Sequence, residues 1–479
     1  MTLTSASAPS IAVKTADELA PPTPEIDRAA AQRAYDDDRA HVFHSWSAQG
    51  ALKPMVVASA QGSWVWDGDG NRYLDFSSQL VNTNIGHQHP KVVAAIQAQA
   101  AKMATVAPQH ANEARSEAAR LITERAPGGD FHYVFFTNGG AEAIENAVRM
   151  ARLHTGRRKV LSRYRSYHGN TQTAIHLTGD PRRWPNDSAA EGVLHFFGPY
   201  LYRSEFNATS EQEECDRALA HLRQVVAMEG AATIAAIVLE TIPGTAGIMI
   251  PPPGYLAGVR EICDAAGIML IADEVMAGFG RAGDWFAIDA HRTADGGPVV
   301  PDLVTFAKGV NSGYVPLGGV IVSDAIYDTF RDRVFPGGLT YSGHPLATAA
   351  AVATINAMTE ERMIENARSI GADVIKPGLE AIAAAHPSVG EVRGTGVFWC
   401  VELVRDKGTR ESLTPYNAAG SDYAPMTDLV AACKQRGLLP FTNMSRLHVV
   451  PPCNVTADET RLGLSLLDEA IGQMEAKHL

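Results

Sequence analysis

The stretch Ile268-Met269-Leu270-Ile271-Ala272-Asp273-Glu274, followed by Leu303-Val304-Thr305-Phe306-Ala307-Lys308-Gly309, decides how this chain folds. Each segment is an apolar run of strand length that stops abruptly on charge. Ligands of open parallel α/β sheets gather outside the carboxyl ends of the strands, so an acid and a lysine delivered there are candidates for one site. A carboxylate at a strand end needs a cation, because an unpaired buried charge is costly. A lysine at the mouth of an apolar pocket loses hydration, which lowers its pKa and frees the amine as a nucleophile. An ordinary ion pair between two strands would use the same two residues. Pyridoxal phosphate would use both differently, with a lysine bonded to the cofactor and an acid facing its ring nitrogen.

The flanking sequence alternates strands and helices. Phe131 to Phe136, Lys159 to Ser162, Ile234 to Leu239, Ile268 to Ala272, Leu303 to Phe306 and Gly318 to Val322 read as strands of a mainly parallel sheet, with helical stretches between several of them. Earlier, Ile26 to Trp46 reads as a helix that loops out through Phe43, His44 and Trp46. Apolar segments around Gly68-Asp69-Gly70 spell a hairpin. Beyond Pro345 the character changes: an Ala-rich helix, a helical stretch from Met363 to Ala385, a strand at Gly396 to Leu403, a loop through Gly408 to Tyr423, the segment Gly437 to Pro451 and a closing helix. Thr456 and Glu459 make a capping box for that helix, and Leu462, Leu466, Leu467, Ala470 and Ile471 share one face. The expected organisation is a flexible arm over 1–24, a segment 25–75 contributing to a small domain and the site entrance, a large domain over 76–344, and a C-terminal small domain over 345–479.

Composition is that of a soluble globular protein: 479 residues, 46% hydrophobic, 20% charged, net charge −12. The acidic balance disfavours a general attraction to nucleic acid or anionic membrane. Five scattered cysteines without a C-x-x-C pair indicate no disulfide framework and fit a reducing cytoplasm. The arm has no signal-peptide pattern, and the uncharged run Pro345 to Met358 is too short to span a bilayer. His87-Gln88-His89 lacks a third metal ligand at recognisable spacing, so no metal is assigned.

Three further motifs lie at strand ends. Thr137-Asn138-Gly139-Gly140-Ala141-Glu142 runs from a strand through a Gly pair into a helix, and the free N–H groups at such a helix start suit a phosphate; a plain strand-to-helix turn reads the same way. No G-x-G-x-x-G or G-x-x-x-x-G-K-[ST] loop is present. Tyr164-Arg165-Ser166-Tyr167-His168-Gly169 offers an aromatic that could stack on a flat ring. Glu240 closes Ile237-Val238-Leu239 as another strand-end acid.

In chain order these blocks, with Ile271-Ala272-Asp273-Glu274-Val275, Gly278-Phe279-Gly280-Arg281, Phe306-Ala307-Lys308-Gly309 and Thr340-Tyr341-Ser342-Gly343-His344-Pro345, resemble the class III pyridoxal-phosphate-dependent aminotransferases, a family that includes the ω-amino acid and taurine–pyruvate transaminases. The similarity runs from about Trp64 to Pro452. It implies a fold-type I transferase with a mainly parallel central sheet in a large domain plus a smaller α/β domain. It also implies that Lys308 bonds the cofactor and moves the proton, that Asp273 pairs with the pyridinium nitrogen, and that Tyr167, with His168 beside it, stacks on one ring face against Val275 on the other. Gly140 and Ala141 would hold the phosphate by backbone N–H, Thr340 would reach the phosphate of a neighbouring subunit in a homodimer, and Glu240 would sit near the ring or the entrance. Arg281 and His344 match as scaffold.

Two departures stand out. Many relatives carry serine where this chain has Ala141. Many ω-transaminases also carry an arginine shortly before the closing Pro-Pro pair, to grip the substrate's α-carboxylate, and counting back from Pro451 places Phe441 there. Arg446, Arg163 and Arg165 then compete to hold an acid group, while Phe43, Trp46, Leu80 and Val81 would line the donor pocket. The implied reaction passes an amino group from an ω-amino donor such as taurine, β-alanine or 4-aminobutyrate to a 2-oxo acid, pyruvate first and 2-oxoglutarate as the alternative, by a ping-pong mechanism. A decarboxylase, racemase or aminomutase on the same scaffold, and a non-catalytic binding protein on this fold, are the rival readings. Pairing of dimers into a tetramer is left open.

Overall fold

The computed structural model describes residues 13–186 and 192–479. Its centre is a seven-stranded sheet in the order Phe131–Thr137, Gly318–Ser323, Leu303–Phe306, Met269–Asp273, Ile234–Glu240, Lys159–Arg163, Val193–Phe196. Six strands run parallel. Gly318–Ser323 is antiparallel to both neighbours, pairing Gly319 with Phe136 on one side and with Phe306 on the other. The connection Ala307–Leu317 is too short for a helical crossover, so the chain must return beside its own strand. Side chains alternate across the sheet. Ala236, Val238 and Ile271 pack under the Gly140–Thr155 helix, whereas Ile237, Leu239 and Leu270 join the larger core on the other face. The edge strand Val193–Phe196 escapes the sequence pattern because it is only four residues long and half-exposed for three of them.

The helix expected over Ile26 to Trp46 is Arg28–His41, started by Asp27, whose side chain accepts the Ala30 N–H at 2.9 Å. The hairpin forms between Trp64–Asp67 and Arg72–Asp75, and Leu438–Leu439 from the last third pairs parallel to its second strand. Of the N-terminal arm, residues 1–12 lie outside the described residues. Its remainder contains the helical turn Ala16–Leu19, and Lys14 and Asp17 reach Asp458 and Arg72.

The closing helix, Ala457–His478, has the expected box: Thr456 Oγ1 accepts the Glu459 N–H and a Glu459 carboxylate oxygen accepts the Thr456 N–H. The other Glu459 oxygen accepts the Trp64 indole N–H at 2.8 Å, which ties this helix to the hairpin. Within Met363–Ala385 the helix widens to a π turn at Gly371–Ile375. A Cβ on Gly371 would stand 2.0 Å from the Gly396 carbonyl oxygen, so this contact admits only glycine. Gly396 turns Val389–Thr395 into Phe398–Asp406, and Arg446–Val449, Phe441–Asn443 and the short Glu411–Ser412 complete that sheet. The five cysteines are free and buried. No helix among the described residues is long and apolar enough to cross a membrane.

Candidate active site

The sheet topology brings five strand ends to one edge. Glu240 and Asp273 are register partners on adjacent parallel strands, and Lys308 follows the next strand over. The Gly139-Gly140 turn and the Tyr167-His168-Gly169 loop follow two others. Together they line a cavity of about 430 Å³, a size usual for small-molecule sites. Lys308 sits at its wall with φ +44°, a left-handed conformation that a lysine adopts only when its surroundings impose it.

Asp273 is held from two sides. Its Oδ1 accepts the Val275 N–H at 3.0 Å, and its Oδ2 lies 2.6 Å from His168 Nδ1. The far nitrogen of His168 stands 3.2 Å from Ser162 Oγ, so the imidazole is fixed at both ends. Burial opposes charge on His168, but the hydrogen bond and negative charge of Asp273 outweigh it and raise the pKa above the ordinary histidine value. Glu240 accepts the Tyr167 N–H at 2.9 Å and the Gly244 N–H at 2.8 Å. Burial, reinforced by the neighbouring Asp273 charge, pushes its pKa up against the pull of His168 and those two donors. Loss of hydration lowers the pKa of Lys308, against the pull of Asp273 and Glu240.

The opposite end of the cavity is built from backbone. The Gly140–Thr155 helix starts there, and its first N–H groups have no intrahelical acceptor. A Cβ on Gly140 would meet the Val275 methyls at 2.9 and 3.0 Å, so glycine lets Val275 close against the turn. An anion seat, a slot lined by Tyr167 and Val275, a buried carboxylate and a dehydrated lysine thus surround one space. That donor set fits pyridoxal phosphate.

Not every expected residue reaches this space. Leu80 lines the cavity, but Val81 is fully buried among Ile242, Ile248, Met276 and Phe398. Left-handed φ values at Ser78, Gln79 and Val81 twist this segment and send the two adjacent side chains apart. Arg163 is buried away from the cavity, donating to the Pro199 carbonyl at 3.3 Å beside the Met249 sulfur. Arg165 pairs with Glu205 at 2.5 Å and lies over Tyr200. Arg446 pairs with Glu402 at 3.2 Å. Burial opposes charge on Glu402, but Arg446 and Arg393 hold its pKa down at about 2. Arg163 and Arg446 are committed to buried partners, Arg165 to a partly exposed ion pair with Glu205, and none of the three lines the cavity, which corrects their assignment to a substrate acid group.

Phe43 is 85% exposed and also lies outside the cavity lining, whereas the Trp46 ring meets Tyr167 edge-on at 6.1 Å. Thr340 is exposed and outside the lining. Arg281 is buried, donating to the Val397 and Pro451 carbonyls, to Ser78 and to Asn84. His87 and His89 face Asp75 and Glu361 at 2.9 and 3.2 Å. The sequence reading missed the lining residues Thr245 and Asn311, and Arg182, whose guanidinium lies 3.8 Å from the centre of the Tyr167 ring. Arg182 sits in the short 3-10 helix Pro181–Asn186, which carries no motif, so only the packing marks it.

The model of the aminotransferase class III family matches residues 46–471. The chain belongs to the class III aminotransferases. The 4-aminobutyrate aminotransferase of Escherichia coli is 33% identical over 88% of this chain and 95% of its own length. The putrescine–pyruvate aminotransferase of Pseudomonas aeruginosa is 35% identical over 75% and 79%. Among solved structures, the taurine:2-oxoglutarate aminotransferase from Bifidobacterium kashiwanohense, in complex with pyridoxal phosphate and glutamate, superposes with a TM-score of 0.89 at 38% identity, covering 94% of this chain and 99% of that one. Class III aminotransferases are pyridoxal-phosphate enzymes of fold type I, and this aminotransferase has that fold and depends on that cofactor.

Proposed function

We propose that this aminotransferase moves the amino group of an ω-amino acid donor, taurine, β-alanine or a similar compound, to pyruvate by a ping-pong mechanism. The observation that carries the chemistry is the convergence of Lys308, Asp273 and the Gly140 turn on one cavity. In this reading the N–H groups of Gly140 and Ala141 hold the phosphate, and Tyr167 and Val275 hold the ring between them. His168 keeps Asp273 oriented toward the ring nitrogen. When bound, pyridoxal phosphate supplies an electron sink for the carbon that carries the amino group. Lys308 Nζ would hold the cofactor at rest; once the donor amine displaces it, the freed amine, kept neutral by its lowered pKa, would take the proton from that substrate carbon as general base and give it up again as general acid. Glu240 closes the substrate side.

An ω-amino donor is supported by the 4-aminobutyrate, putrescine and taurine enzymes among the relatives. Pyruvate as the acceptor is supported by the putrescine–pyruvate aminotransferase among the relatives. The proposed working unit is a homodimer with its sites at the interface, where the exposed Thr340 and Tyr341 would meet the partner subunit. Within each subunit, 76–344 forms the cofactor-binding part, and 25–75 with 345–479 the smaller one.

The test is a donor-by-acceptor panel on the purified holoenzyme, scoring alanine and glutamate formation separately. Alanine formation from an ω-amino donor is expected, along with loss of turnover and of the lysine-bound cofactor absorbance in Lys308→Ala. Amine consumption without oxo acid consumption, or repeated turnover by Lys308→Ala, would overturn the proposal.

A further inference from the structure

We infer that Arg182 recognises the acid head of the ω-amino donor. This rests on the aminotransferase reading above and names the residue that sets its specificity. Three observations point to it. The guanidinium lies 3.8 Å from the Tyr167 ring centre and 6.0 Å from that of Trp46, so it stands beside one wall of the reaction cavity. Its Nη2 donates at 2.9 Å to the hydroxyl of Thr245, itself a cavity-lining residue. Its charge also reaches Lys308, whose ammonium form it disfavours.

The guanidinium is held as a fixed fork for an oxyanion. Asp180 takes the Nε–H, 3.1 and 3.0 Å from its two oxygens, and also Nη2, which fixes the plane of the fork. None of these bonds among the described residues uses Nη1, so that edge of the fork is left for a carboxylate or sulfonate. The side chain is 27% exposed, and Asp180, Arg182, Asn443 and Met444 line a second hollow of about 200 Å³ on its far side. Asn443 in turn donates to the Thr245 carbonyl at 2.6 Å and closes the partition between the two spaces. A donor with its amine at Lys308 and its acid at the other end would run from the reaction cavity toward this partition. Arg163, Arg165 and Arg446 lie outside the cavity lining, whereas Arg182 touches Tyr167 and Thr245 of that lining.

Two measurements test this on the holoenzyme. The first compares kcat/KM for taurine or β-alanine with kcat/KM for n-propylamine, which lacks the acid. Loss of a charge-assisted contact in Arg182→Gln should lower this ratio about 10- to 100-fold, with partial recovery in Arg182→Lys. The second measures calorimetric binding of propane-1-sulfonate, which has no amine and cannot turn over; affinity should fall by a similar factor in Arg182→Gln. An unchanged ratio, or equal losses for acidic and neutral amines, would overturn the inference and reduce Arg182 to a support for Tyr167. If the wild type binds the sulfonate through Arg182 but transaminates none of the donors, the reaction proposal fails while this one stands.

Discussion

Replacing Asp273 by asparagine removes one charge and almost no volume. The amide oxygen of the new side chain could still accept the Val275 N–H that Asp273 Oδ1 now takes at 3.0 Å, so the end of the Met269–Asp273 strand should keep its shape. The negative charge facing the ring nitrogen is lost. At an effective dielectric constant of about 20, two unit charges about 4 Å apart attract by about 4 kcal/mol. If that attraction holds in the transition state and is lost with the charge, the rate falls by about three orders of magnitude. His168 changes as well, because the Asp273 charge and hydrogen bond are what raise its pKa; in Asp273→Asn it should revert toward the neutral imidazole. The assay is single-turnover kinetics of the amine half-reaction at saturating cofactor, with bound-cofactor stoichiometry and thermal unfolding as controls. A rate within tenfold of wild type, with cofactor fully bound, would refute the assignment of Asp273 as the electrostatic partner of the ring.

Leu80→Ala and Val81→Ala should separate function from stability at adjacent positions. Leu80→Ala should raise the donor KM with little change in thermal stability, whereas Val81→Ala opens a cavity in a packed cluster and should cost about 2 kcal/mol in unfolding experiments. Glu274 gives a pH test. Burial outweighs its hydrogen bonds from Thr241, Ala287 and Ile288 and pushes its pKa from 4.5 up to about 7. The folded protein therefore keeps this proton where the unfolded chain has released it, and the group's contribution to stability declines by about 3 kcal/mol as pH rises from about 4.5 to 7. The stability of the wild type relative to Glu274→Gln should fall as pH rises over that window; a difference independent of pH in thermal unfolding would count against it.

Much of the site was legible before folding because its signals are local. A strand-end charge, as at Asp273, Glu240 and Lys308, follows from an apolar run and its last residue, and parallel strands then place such ends together whatever lies between. The Gly139-Gly140 turn, the hairpin around Asp69 and the Thr456–Glu459 box are likewise complete within a few residues.

The tertiary structure decided the direction of Gly318–Ser323, the edge strand Val193–Phe196, the opposed burial of Leu80 and Val81, and the fate of the arginines. An arginine's role depends on which acid meets the end of its long side chain, and that acid is often remote in sequence. Glu402 claims Arg446, and Glu205 claims Arg165. Asp180, only two residues away, instead holds Arg182 in place while Tyr167 and Thr245 bring it beside the cavity. The sequence by itself determined which chemistry the chain can carry, since that resides in residue types at strand ends. Packing determined which cation is left for a substrate, because pairing energies depend on distances that only the folded chain sets.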